Sequence, residues 1–132
     1  MDCLLDTQAI IWFIDGDMRL PQKVRDTVKD PENSVSITVV SLWEIAIKRS
    51  LEKLKLATSL SDIQHQVVTK KVSILPLTVA HLETLENLAY KEKHRDPFDR
   101  LIISQAITKN MTLISSDSHF KEYSVQTLWW SL

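Results

Sequence analysis

Four acidic residues, Asp6, Glu44, Asp99 and Asp117, occupy points where the pattern of the chain changes. Asp6 closes the apolar run Cys3-Leu4-Leu5, and Asp117 follows Met111 to Ile114 after two serines. An aspartate at the end of a strand either projects into the loop crevice beyond it or caps the helix that follows. Glu44 lies between Trp43 and Ile45 in a helical segment that is mainly apolar as far as Lys48-Arg49. If buried, it must be paired or hold a cation. On a solvated face it would instead pair with Lys48, at the favourable i, i+4 spacing. Asp99 belongs to the segment His94-Arg95-Asp96-Pro97-Phe98-Asp99-Arg100. Proline favours the first helical position, which makes Asp96 the N-cap and Asp99 the third helical residue. The helix dipole would keep Asp99 ionised, or it could serve as a capping-box partner for Asp96.

Carboxylates gathered in one place repel each other unless a cation neutralises them. The oxygen donors suit a hard divalent ion, Mg²⁺ or Mn²⁺. Such an ion lowers the pKa of bound water, orients a phosphodiester and stabilises the leaving oxygen. Zinc is disfavoured, because Cys3 has no second cysteine and His65, His81, His94 and His119 lack ligand spacing. The histidines are expected to be structural or exposed. Gly16 is the only glycine, too few for a Rossmann turn or a P-loop, so phosphate must be handled by side chains or metal.

The elements that would position these acids alternate. Residues 3–5, 35–38, 71–75, 111–114 and 125–128 have strand character, and 8–14, a stretch from Leu20-Pro21, 39–54, 60–69, 79–89 and 97–106 have helical periodicity. Short apolar strands separated by helices predict an α/β chain of three layers: a central parallel sheet of four to five short strands flanked by helices. Ligands in such sheets bind at the carboxyl ends of strands, where Asp6 and Asp117 stand. The 132 residues form a single domain (1–132).

The net charge of −1 supplies no general attraction for nucleic acid, so local basic groups or metal would have to provide it. No apolar run reaches the roughly 20 residues that cross a bilayer. The N-terminus shows no basic segment ahead of an apolar one. One cysteine fits a reducing compartment, and a cytoplasmic location is expected.

Leu4-Leu5-Asp6-Thr7, Ser41-Leu42-Trp43-Glu44-Ile45-Ala46-Ile47-Lys48, the segment from His94 to Ala106, and Leu113-Ile114-Ser115-Ser116-Asp117 together resemble the PIN-domain family, and within it the VapC-type toxins of bacterial toxin–antitoxin pairs. The likeness spans nearly the whole chain. It implies a PIN-like fold and a hydrolase, a metal-dependent endoribonuclease using Mg²⁺ (or Mn²⁺). Asp6, Glu44, Asp99 and Asp117 would take the metal-binding and catalytic positions. Thr7 and Ser115 would support them, and Asp96 matches a residue typical of the sub-group. A cognate antitoxin and a homodimer are the implied protein partners.

Lys48, Arg49, Arg95 and Arg100 are the basic residues nearest the acids in sequence and are candidate RNA contacts; each could equally belong to a solvated charged face. Trp12, Trp43, Trp129 and Trp130 could stack bases if exposed, or belong to the core or an interface. Two other readings share part of this pattern. A receiver-like domain would use Asp6 as a phosphate-accepting nucleophile but would give Glu44 no role. A non-catalytic module would keep the fold as a platform for RNA or antitoxin.

Overall fold

The computed structural model describes residues 1–90 and 96–129; Arg95, with Lys91, Lys93, His94 and Trp130, lies outside the described residues. Five strands, β1 (Asp2–Leu5), β2 (Ser34–Thr38), β3 (Ser73–Leu75), β4 (Thr112–Ile114) and β5 (Thr127–Leu128), form one sheet in the order β3-β2-β1-β4-β5. Every pairing is parallel. The chain builds β1, β2 and β3 outward in one direction, then crosses back to lay β4 and β5 on the other side of β1. The order therefore reverses between β1 and β4, and the carboxyl ends of those two strands flank the crevice in which such sheets bind ligands. Cys3 pairs with Thr112 and Leu5 with Ile114, and the amide of Asp6 extends the ladder to the Ile114 carbonyl at 3.1 Å.

Strand residues alternate between the two faces, and the core divides accordingly. Cys3, Leu5, Val35, Ile37 and Ile114 pack with α1 (Thr7–Asp15), α2 (Gln22–Lys29) and α4 (Leu60–Thr69). Leu4 and Leu113 face the other way, onto Leu101, Ile102 and Ala106 of α6 (Pro97–Lys109), with Leu85 of α5 (Val79–Glu86) beside them. The helix α3 (Val39–Ser50) joins the layers, sending Ile45 into one cluster and Val40 into the other. This is the three-layer α/β arrangement that the alternating pattern predicts. No helix among the described residues is long and apolar enough to cross a membrane.

Two helices stop short of their apolar periodicity. The expected helix 39–54 ends at Ser50, because Glu52 adopts φ 57° and the Lys53 amide turns back to the Lys48 carbonyl at 2.8 Å. The expected helix 79–89 ends at Glu86, and the carbonyls of Leu88 and Ala89 are taken by the Arg100 guanidinium at 2.8 and 3.0 Å. A 3₁₀ turn, Ser118–Glu122, follows Asp117 and was not anticipated from the sequence.

Candidate active site

At the crevice between β1 and β4 lies a cavity of about 330 Å³, lined by Asp6, Glu44, Asp96, Asp99 and Asp117. Four separate stretches supply these acids: the end of β1, the middle of α3, the first turn of α6, and the loop after β4. Thr7 also lines the cavity. Lys48 is the one basic side chain lining it among the described residues.

Capping and cavity-lining turn out to be compatible. Asp6 accepts a hydrogen bond from the Ala9 amide at 2.8 Å and so starts α1, yet it remains on the cavity wall. Asp117 likewise accepts from the His119 amide at 2.9 Å, and Asp96 accepts from the Asp99 amide at 3.0 Å. In each case one carboxylate oxygen, Oδ1, does the capping. Fixing one oxygen locks the rotamer of each acid at the rim without neutralising its charge.

Glu44 combines both of its sequence readings too. Its side chain is only 5% exposed, and Lys48 Nζ stands 2.7 Å from Oε2. Thr7 Oγ1 donates to Oε1 at 2.7 Å, and the buried Ser41 hydroxyl lies 2.9 Å from the same threonine. Ser115 works across the strands: its hydroxyl bonds Asp6 and also accepts the Asp117 amide at 3.0 Å. One serine thus ties the acid after β1 to the acid after β4.

The cost of this crowding falls on Asp6. Burial raises its pKa from 3.8 to about 6; the hydrogen bonds from Ser115 and Ala9 oppose the rise, and the charges of Asp99 and Asp117 add to it. A pocket of carboxylates that resists ionisation at Asp6 suits a group that brings positive charge. All donors are hard oxygens, which fits Mg²⁺ or Mn²⁺. Among the described residues, no three acidic, histidine or cysteine side chains are already drawn together at ligand spacing. The acids share one cavity but would have to close further around an ion.

Two of the basic candidates stand elsewhere. Arg49 donates to the Thr58 carbonyl at 2.8 Å and faces Ser59 and Leu60 rather than the acids. Arg100 is buried, 3% exposed, bound to the Leu88 and Ala89 carbonyls and stacked 3.9 Å from the Tyr90 ring centroid. Its guanidinium braces the chain leading to α6 instead of facing solvent. Lys48 alone of the described basic candidates reaches the cavity. Trp12 packs against Trp129, and Trp43 meets Phe98 edge-on at 4.8 Å.

Sequence reasoning assigned no role to Ser41 or His119. Ser41 is three residues before Glu44, hence on the same face of α3, a spacing that could have flagged it. His119 Nδ1 lies 3.1 Å from Asp117 Oδ1, a contact created by the unanticipated 3₁₀ turn.

The sequence profile of the PIN domain matches residues 3–126. The chain belongs to the PIN-domain family. No curated protein sequence matches it significantly. Among solved structures, this PIN domain superposes on a chain of VapBC2 from Rickettsia felis, solved bound to a DNA fragment from its promoter, with TM-score 0.71 and 19% identity over 99% of this chain and 100% of that one. A chain of VapBC-1 from nontypeable Haemophilus influenzae gives 0.63 at 17% identity, covering 97% of each. A toxin–antitoxin complex from Klebsiella pneumoniae gives 0.61 at 12%, covering 98% and 99%. At such identities the likeness establishes the fold, and the PIN domain's own side chains must carry the chemistry.

Proposed function

We propose that this PIN domain is a metal-dependent endoribonuclease, the toxin of a toxin–antitoxin pair, which hydrolyses RNA phosphodiester bonds in the cytoplasm. One observation carries the reading: five carboxylates from four distant stretches line a single cavity at the switch point of a PIN fold. Asp6, Glu44, Asp99 and Asp117 would hold Mg²⁺ or Mn²⁺. When bound, the ion supplies charge neutralisation and an activated water.

The chain's own residues do the rest. Thr7 fixes the Glu44 carboxylate, with which Lys48 is paired in this structure, and Ser115 fixes Asp6 relative to Asp117. Asp96 starts α6 and so sets the direction of its first turn, on which Asp99 stands. The toxin–antitoxin complex among the structural neighbours supports an antitoxin partner; its proposed place is over this cavity, and the proposed assembly is a homodimer.

The test is cleavage of single-stranded RNA by the purified chain and by Asp99→Asn prepared in parallel, with Mn²⁺ and with EDTA. Cleavage should need Mn²⁺ and disappear in Asp99→Asn while the circular dichroism spectrum is unchanged. Full cleavage by a folded Asp99→Asn chain would refute the assignment.

A further inference from the structure

Among the described residues, Lys48 is the single basic group on a cavity wall that carries five acids, and it is spent on one of them. Its ammonium sits 2.7 Å from Glu44 Oε2 while Thr7 occupies Oε1, so both oxygens of Glu44 are engaged by the protein's own donors. The two partners differ in freedom: the Glu44 side chain is 5% exposed, that of Lys48 45%. An ammonium on a flexible four-carbon stem can leave a buried carboxylate without disturbing the core. Glu44 cannot move to follow it.

We propose that Lys48 is a displaceable counter-ion: it occupies Glu44 while the cavity holds no divalent cation, yields that oxygen when one binds, and then contacts the phosphate of the bound RNA. This rests on the metal-dependent reading above and deepens it. Glu44, Asp96 and Asp99 all raise the Lys48 pKa in the paired position, the hydrogen bond to Glu44 first. A cation so placed opposes a second cation by repulsion and by competition for Oε2. Once displaced, it stands beside the acids at the place where a phosphate would need a positive partner.

This role has a sign that an orienting role lacks. If Lys48 merely held Glu44 in position, its loss would weaken metal binding. As a counter-ion, its loss strengthens it. The experiment is Mn²⁺ titration by calorimetry of the full chain and of Lys48→Met, which keeps the aliphatic stem. About tenfold tighter Mn²⁺ binding is expected for Lys48→Met. In a second measurement, the anisotropy of a labelled 2′-O-methyl RNA oligonucleotide at saturating Mn²⁺ should show weaker binding by Lys48→Met, with a salt slope lower by about one, since one phosphate contact is lost. Lys48→Arg should keep the wild-type slope. Mn²⁺ binding that is unchanged or weaker in Lys48→Met overturns this inference alone, whereas a wild-type chain that binds no Mn²⁺ overturns the metal-dependent reading with it. Unchanged RNA binding with tighter Mn²⁺ binding overturns the phosphate half.

Discussion

Replacing Asp6 by asparagine should make the protein more stable, and increasingly so as pH rises. The folded chain holds the Asp6 carboxyl at about 6, against 3.8 for the ordinary group, chiefly because burial strips the carboxylate of solvation. Between those values the folded state binds more protons than the unfolded chain, so stability falls as pH rises, and the penalty is complete above about pH 6. A carboxyl moved by that much corresponds to about 3 kcal/mol. Asparagine carries no charge to desolvate and can still accept from the Ala9 amide, so the cap survives. Asp6→Asn should therefore exceed the wild type by about 1 kcal/mol at pH 4.5 and by about 3 kcal/mol at pH 8. Near neutral pH that is a rise in Tm of roughly 10 °C. Urea denaturation from pH 4.5 to 8 measures the difference directly. Adding Mn²⁺ should reverse it: an ion at 100 times its Kd stabilises the wild type by about 2.7 kcal/mol, and the variant far less. Equal stability at pH 8, or an advantage that shrinks as pH rises, would refute the argument that Asp6 is strained by burial among like charges.

Asp96 both caps α6 and lines the cavity, and the two roles separate by substitution: Asp96→Ala should cost about 1 kcal/mol by urea denaturation, while calorimetry shows Mn²⁺ affinity falling less than in Asp99→Asn. Arg100→Leu leaves two carbonyls without their donors and should destabilise by about 2 kcal/mol or more. Arg100→Lys should not restore the loss, because a single ammonium does not reproduce the guanidinium fork; thermal melts compare the pair. Gly16 closes α1 at φ 65°, with open space around any added Cβ, so Gly16→Ala should cost about 1 kcal/mol of chemical stability through backbone strain alone.

What was legible in the sequence depended on how far each signal reaches along the chain. Asp96 and Pro97 announce the start of α6 within two residues, and the structure places the cap there. The alternation of Cys3, Leu4 and Leu5 likewise appears as two cores on opposite faces. A local pattern describes one job per residue, so in the sequence Asp6 and Asp117 pose a choice between cap and ligand. A carboxylate has two oxygens, and only the fold shows that one caps while the side chain still reaches the cavity. Arg100 misled for the opposite reason. Flanked by Asp99 and preceded by a basic stretch, it resembled a surface charge, although Ile103 and Ser104 share its helical face and both are fully buried. Burial of a charged residue is decided by acceptors, here the Leu88 and Ala89 carbonyls, which come from the stretch after α5 and leave no local signature. The same reasoning separates Lys48 from Arg49. They are adjacent in sequence and alike in charge, but one helical step of about 100° turns the first toward Glu44 and the second toward Thr58. The acceptor that each basic residue can serve is thus fixed by helix phase and sheet order together, and the i, i+4 spacing of Glu44 and Lys48 is the part of that geometry already written in the chain.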